Sequence, residues 1–272
     1  MSENVATWCF KDRPAIIGMV HLQALPGTPR SGRSVREIAA DAALQAKTLV
    51  KAGFRSLLIE NMHDAPYVAG PHGPEITATI TAAAMAVRDA APDATIGLQV
   101  LARGERVALA VALACGGAFV RCENFVFSHV ADEGLMVEAS AGPLLRYRRE
   151  IGAEGVHVFA DIKKKHASHA ITQDVSLADV VHGAEFFGAD GVVITGSATG
   201  RSASLDDVEA ARKAGPLPVL VGSGVTPANV KAMLRHAHGV IVGSSLKVGG
   251  VWNAPLDERA CEAFIEACHA AS

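Results

Sequence analysis

Short, continuous apolar runs alternate along the chain with longer alanine-rich segments whose apolar positions recur at helical spacing. The runs at 16–22, 56–60, 95–101, 118–122, 156–162, 191–195, 218–221 and 240–242 predict eight strands. Unbroken apolar character is what a strand covered on both faces requires, as in a parallel sheet wrapped by helices. The second run is ambiguous alone, because Leu57-Leu-Ile59 suits a helix end equally. Gly53 stops the helix before it and polar Glu60-Asn61 opens a loop after it, which makes it a strand.

The intervening segments have recognisable starts. Ser34-Val-Arg-Glu37 is a capping box opening a helix that reaches Lys51, and Ser176-Leu-Ala-Asp179 and Ser204-Leu-Asp-Asp207 repeat the pattern with aspartate. Thr226-Pro227 offers a capping hydroxyl before a proline in the first helical position. Eight strand–helix alternations predict an α/β fold, a single (β/α)8 TIM barrel, over an open doubly wound sheet. A dinucleotide fold also needs a GxGxxG turn after its first strand, where this chain reads His21-Leu-Gln-Ala-Leu-Pro-Gly27. No proline-rich or charged linker divides residues 1–272, which predicts one domain. The connections 23–33, 61–74 and 123–142 are long, and long loops after barrel strands build active sites.

Composition narrows the partners. Half of the 272 residues are apolar and only 5% aromatic, so Ala, Val, Leu and Ile build the core. A net charge of −3 gives no electrostatic reason to expect nucleic acid or an anionic membrane. Cys9, Cys115, Cys122, Cys261 and Cys268 form an odd set with no CxxC, which indicates neither a disulfide framework nor a zinc ribbon. Charged Glu3, Lys11, Asp12 and Arg13 do not read as a secretory signal, and the longest apolar stretch, 107–120, is broken by Gly116-Gly117 and too short to span a bilayer. The expectation is a cytoplasmic protein without an integral membrane segment, with a homo-oligomer left open.

Polar residues at the C-terminal ends of barrel strands face the active site. That turns the strand list into a site list. The first strand ends at His21, the second at Glu60 and Asn61 with Asp64 beyond, and the third is followed by Arg103 and Glu105. The fourth carries Arg121, Glu123 and Asn124, and the sixth ends in Thr195-Gly196 with Thr199-Gly200 behind. The fifth is densest, Asp161-Ile-Lys163-Lys-Lys165-His166. An acid beside lysines and a histidine suits proton transfer, each group shifting the pKa of the others. Strand alternation puts Asp161 and Lys163 on one side and makes Lys164 the solvated member. The alternative is a structural Asp161–Lys163 ion pair.

The catalytic candidates are therefore Glu60, Asp161, Lys163, Lys165, His21 and His166, with His21 equally readable as a satisfied neighbour of the core. Asn61, Arg121, Glu123 and Thr195 are the candidate substrate-binding residues. Arg121 suits either a phosphate or Glu60. Arg146, Arg148 and Arg149 read as a solvated helix face. His166, His169, Asp161 and Asp64 carry no ligand-spaced pair with a partner on one element, so neither metal nor cofactor is expected.

The last two strands lead into Gly222-Ser-Gly-Val-Thr226 and Gly243-Ser-Ser-Leu-Lys247. Glycine lets backbone approach an anion closely, and such turns after the final barrel strands form a phosphate cup. Gly222, Ser223, Gly224, Gly243, Ser244 and Ser245 are the candidate phosphate-binding residues. Either turn alone also reads as a plain strand-to-helix connection.

Ile17-Gly-Met-Val-His-Leu22 with Leu25-Pro-Gly27 resembles the N-terminal signature of the BtpA family, the photosystem I biogenesis or SgcQ-like family. Similar too are Ile59-Glu-Asn61 with Asp64, Phe159-Ala-Asp-Ile-Lys-Lys-Lys-His-Ala167, Val193-Ile-Thr-Gly196 with Thr199-Gly200, and both glycine turns. The chain departs from the family pattern at Gln99-Val-Leu-Ala-Arg-Gly-Glu105, where asparagines are usual, and at Arg121-Cys-Glu-Asn124, where Arg-Val-Asn is usual. The resemblance implies a link to photosystem I accumulation in cyanobacteria, to sugar-uptake contexts or to nucleosidases. These departures imply an altered substrate.

The leading expectation is an enzyme acting on a small phosphorylated sugar or nucleoside-type metabolite. A carboxylate pair suits N-glycosidic cleavage through an oxocarbenium-like centre, and a strand-end lysine suits Schiff-base, isomerase or lyase chemistry. The rivals are a non-enzymatic biogenesis factor for a membrane protein complex and a phosphometabolite-sensing barrel.

Overall fold

The computed structural model describes residues 14–196 and 202–269. Eight parallel strands close into a barrel, each hydrogen-bonded to its neighbours in sequence and the last to the first. They are β1 (Ala15–His21), β2 (Ser56–Glu60), β3 (Thr95–Gln99), β4 (Phe119–Cys122), β5 (His157–Ile162), β6 (Gly191–Ile194), β7 (Val219–Val221) and β8 (Gly239–Val242). The helices are α1 (Val35–Ala52), α2 (Pro74–Ala90), α3 (Glu105–Cys115), α4 (Ala141–Glu150), α5 (Leu177–Phe186), α6 (Leu205–Ala214), α7 (Val230–His236) and α8 (Glu258–His269). The chain is a TIM barrel.

Helix ends follow local chemistry. Ser34 and Glu37 form the reciprocal capping box of α1, Gly53 closes that helix at φ 110°, and Ser176 with Asp179 caps α5 in the same way. Two expected caps differ. The Ser204 side chain makes no capping bond to α6. At α7, Asn229 is the cap residue, and its Oδ1 accepts from the Thr226 N–H, so residues 226–229 turn before the helix begins. The connection 123–142 is not a plain loop. It holds a hairpin, His129–Ala131 with Gly134–Met136, whose first strand also pairs with Ala167–Ser168 after β5.

Two apolar layers follow from strand alternation. Outward residues such as Val20, Leu57, Ile59 and Val158 pack under the helices. Inward residues Ile17, Met19, Leu58, Phe119, Phe159, Val193, Leu220 and Ile241 fill the barrel interior. Phe119 and Phe159 meet edge to face, ring centroids 5.7 Å apart. A side chain at Gly97 or Gly191 would overlap these rings, so glycine on the flanking strands makes their room.

Cys115, Cys122, Cys261 and Cys268 are free and buried, and Cys9 lies outside the described residues. Arg148 is no solvated residue: its guanidinium donates to Asp190 Oδ2 at 2.8 Å, whereas Arg149 reaches exposed Glu154. Among the described residues no helix is long and apolar enough to cross a membrane.

Candidate functional site

Two residues beyond the inner apolar layer, every strand presents its next inward position at the C-terminal mouth of the barrel. Met19 is followed by His21, Leu58 by Glu60, Gly97 by Gln99, and Phe119 by Arg121. Phe159 is followed by Asp161, Val193 by Thr195, Leu220 by Gly222, and Ile241 by Gly243. Six of the eight are polar side chains buried to within a few per cent, and the two glycines open the ring on one side. A Cβ at Gly222 would lie 2.6 Å from Val193 Cγ1, and one at Gly243 would lie 3.3 Å from His21 Cε1.

Charge within the ring is largely satisfied. Arg121 donates from Nε to Asp161 Oδ1 at 2.7 Å and from Nη2 to Oδ2 at 2.9 Å, a bidentate pair spanning β4 and β5. Burial works against the guanidinium, but the facing Asp161 outweighs it and raises the Arg121 pKa. The carboxylate partner of Arg121 is thus Asp161 and not Glu60. Glu60 lies 3.6 Å from His21 Nε2. Burial raises the Glu60 carboxyl above its ordinary value, offset in part by Arg121 and Lys165. Burial, reinforced by Lys247 and His63, holds the His21 imidazole well below its ordinary pKa, so the ring is neutral at physiological pH. The His21 backbone is fixed from outside by Gln45 of α1, which donates to its carbonyl and accepts from its amide.

Beyond Ile162 the alternation fails, for a backbone reason. Lys163 adopts φ 47°, a left-handed conformation that ends the strand pleat. Its ammonium turns away from the mouth and donates to the Val175 carbonyl at 2.8 Å, which removes Lys163 from the catalytic set and rules out its ion pair with Asp161. Lys164, expected in solvent, is instead buried and pairs with Glu123 Oε1 at 3.1 Å. Burial opposes its charge, and Glu123 and Glu133 raise its pKa nonetheless. Lys165 follows with its amide held by Thr195 Oγ1 at 2.9 Å and its side chain in the mouth. Among the described residues its ammonium forms no ion pair, and burial, aided by Arg121, lowers its pKa. Exposed His166 stands at the rim, 3.5 Å from Asp132.

The mouth has two compartments sharing Glu60, Met62, Arg121 and Lys165. The first is floored by Ser223, Gly224, Val225 and Thr226 after β7 and Gly243, Ser244 and Ser245 after β8. Ser245 Oγ donates to the Val225 carbonyl at 2.8 Å, tying the two turns together. The Gly224 carbonyl accepts from Ser202 Oγ and Asn229 Nδ2. With the carbonyls tied back, the amides of Gly224, Val225, Ser244 and Ser245 donate to no protein acceptor among the described residues. Gly224 at φ 64° sets the turn. Lys247 lies buried behind this floor, its ammonium pKa lowered by burial. The second compartment is lined by Gln99, Glu123, Glu133, Asp161, Lys164, Tyr67 and Trp252.

Asn61 is placed elsewhere. Its amide donates to Asp64 Oδ2 and the Leu101 carbonyl and accepts from the Leu101 amide at 2.7 Å. With Asp64 in turn accepting from the Leu25 amide, the pair pins three loops together, and both Asn61 N–H donors are spent on that bracing. Thr195 acts through the Lys165 backbone. Thr199-Gly200 lies outside the described residues. The sequence reading missed Gln99, Lys164, Tyr67, Glu133 and Trp252. Gln99 is an inward residue that alternation from Gly97 identifies, whereas the others sit in loops without a period.

The class is that of a TIM barrel: a closed parallel barrel whose last two strands open into an amide-lined cup beside the buried Glu60 carboxyl and the Lys165 ammonium. Within that class the chain belongs to the BtpA family, whose model matches residues 12–270. It is 44% identical over 258 residues to an uncharacterized mitochondrial protein of Caenorhabditis elegans, covering 93% of this chain and 92% of that one. It is 34% identical over 259 residues to the photosystem I biogenesis protein BtpA of Synechocystis, covering 95% and 89%. Among solved structures it is similar in fold to (S)-3-O-geranylgeranylglyceryl phosphate synthase from Thermoplasma acidophilum in complex with sn-glycerol-1-phosphate (TM-score 0.62, 13% identity, covering 98% and 99%). Phosphoribosyl anthranilate isomerase from Thermus thermophilus gives a TM-score of 0.57 at 10% identity, covering 95% and 100%.

Proposed function

We propose that this chain is an enzyme acting on a phosphorylated sugar or nucleoside-type metabolite. The amides of Gly224, Val225, Ser244 and Ser245 hold the phosphate, and the reacting carbon lies between Glu60 and Lys165. One observation carries the reading: amide donors without a protein acceptor among the described residues, a buried carboxyl of raised pKa and a half-buried amine of lowered pKa line the same compartment. Lowering a lysine pKa enlarges its neutral fraction, the form that takes a proton or attacks a carbonyl. Raising a carboxyl pKa enlarges the protonated fraction of Glu60, the form that returns the proton. N-glycosidic cleavage by a Glu60–Asp161 pair has less support, because both Asp161 oxygens are engaged by Arg121. Proton-transfer chemistry of the isomerase or lyase type fits better. The barrels of similar fold whose names include phosphate compounds agree with this reading.

The name of the Synechocystis relative supports a second reading, a non-enzymatic factor for a membrane protein complex. Turnover assays on phosphorylated sugars and nucleosides, with wild type and Lys165→Met, separate the two. The enzyme reading expects turnover that the variant loses while staying folded. Neither binding nor turnover of any such compound contradicts it.

A further inference from the structure

The second compartment is electrically the reverse of the cup. Among the described residues Gln99 Oε1, Glu123 Oε2 and Glu133 Oε2 are buried with no protein donor, and all three residues line this one space. Two of the three are carboxylate oxygens, which above their pKa can only accept. A buried acceptor left without a donor is unfavourable, so a bound molecule that supplies N–H or O–H groups there is selected over one that does not. Two of the three Lys/Arg cations lining this space are already engaged. Arg121 holds Asp161, and Lys164 holds the other oxygen of Glu123. Lys165 is shared with the cup.

Glu133 comes from the tip of the hairpin over the mouth, at the turn between His129–Ala131 and Gly134–Met136. The Asp132 amide donates to the His166 carbonyl at 3.3 Å, and Ala131 pairs with Ala167, so the tip is anchored to the end of β5. Tyr67, whose hydroxyl donates to the Met62 carbonyl at 2.7 Å, and Trp252 add aromatic surface. Aromatic faces beside acceptors suit a ring with one C–H face and a fringe of hydroxyls.

We infer that the two compartments together select a polarised ligand, a monophosphorylated sugar or polyol whose hydroxyl or amino groups meet Gln99, Glu123 and Glu133. The inference rests on the phosphate reading and deepens it. A second phosphate or a carboxylate at the far end is rejected, because it would face acceptors and carboxylate charge. An apolar tail is rejected because it leaves all three oxygens unmet.

Calorimetric titration of the full chain tests this with inorganic phosphate, propyl phosphate, glucose 6-phosphate, glucosamine 6-phosphate, fructose 1,6-bisphosphate and 3-phosphoglycerate. The two hexose monophosphates are expected to bind about tenfold or more tighter than propyl phosphate, the bisphosphate and phosphoglycerate, the span of one well-placed hydrogen bond to a charged group. Glu133→Ala, at the half-buried hairpin tip, and Gln99→Leu are each expected to cut that preference several-fold, with folding checked by circular dichroism. Propyl phosphate or the bisphosphate binding as tightly as the hexose monophosphates overturns this inference and leaves the cup standing. Binding of none of the phosphates overturns both.

Discussion

The end of β5 and the two turns after β7 and β8 make an instructive pair. The first concentrates charge: Asp161, three lysines and His166 within six residues. Almost all of that charge is consumed, Asp161 by Arg121, Lys164 by Glu123, and Lys163 by a carbonyl outside the mouth. The turns carry no charged side chain at 222–226 or 243–246; Ser245 Oγ holds the Val225 carbonyl and Asn229 the Gly224 carbonyl, yet among the described residues the amides of Gly224, Val225, Ser244 and Ser245 have no protein acceptor. Under the proposed function, chemistry falls to the group without a protein partner among the described residues, whichever region is richer in charge. At the end of β5 that group is Lys165.

Four substitutions break or sharpen this contrast. The largest effect is expected from Lys165→Met, a loss of turnover of at least about a hundredfold, the share a general acid or base contributes. Stability should hold or rise. The folded pKa of Lys165 lies below its unfolded value, so below that unfolded value protonation favours the unfolded state, and removing the amine removes the bias. A large fall in Tm would put Lys165 among the structural lysines.

Arg121→Met leaves Asp161 buried without its cation and is expected to cost about 3–5 kcal/mol in urea denaturation. Arg121→Met with Asp161→Leu should recover much of this. No recovery would mean that the pair is not a closed unit.

Lack of a partner also occurs away from the mouth. Burial lifts Glu105 to about 7, one of its oxygens has no partner, and it lies outside both compartments. With a folded pKa above the unfolded one, its stabilising contribution is full below the ordinary carboxylate pKa and is lost as pH rises through about 7. Glu105→Gln should therefore raise stability at pH 8 by roughly 2 kcal/mol and change little at pH 4, read from Tm at the two pH values. Equal effects at both would refute the titration.

The smallest effect is expected from Lys163→Met, which loses one partly exposed hydrogen bond, about 1 kcal/mol or less, with turnover unchanged. A strong loss of activity would restore Lys163 to the site.

The barrel was legible in the sequence because its signal is periodic. The apolar run at 16–22 is strand Ala15–His21, that at 95–101 is Thr95–Gln99, and that at 240–242 is Gly239–Val242. The polar ring follows from the same period, two residues past each inner apolar side chain. The period ends where the backbone turns left-handed at Lys163, and beyond it Lys163 points away from the mouth while Lys164, expected in solvent, is buried. Asn61 sat in the right place by sequence, but its hydrogen bonds to residue 101 join segments far apart in the chain. Trp252, Tyr67 and Glu133 reach the mouth from loops, where position depends on packing alone.

The amides of Gly224, Val225, Ser244 and Ser245, without a protein acceptor among the described residues, are proposed to hold an oxyanion. Anomalous diffraction from crystals soaked in selenate locates such an ion directly. A selenium peak is expected within hydrogen-bonding distance of these four amides. A cup without selenate, in crystals that bind it elsewhere, would contradict the account.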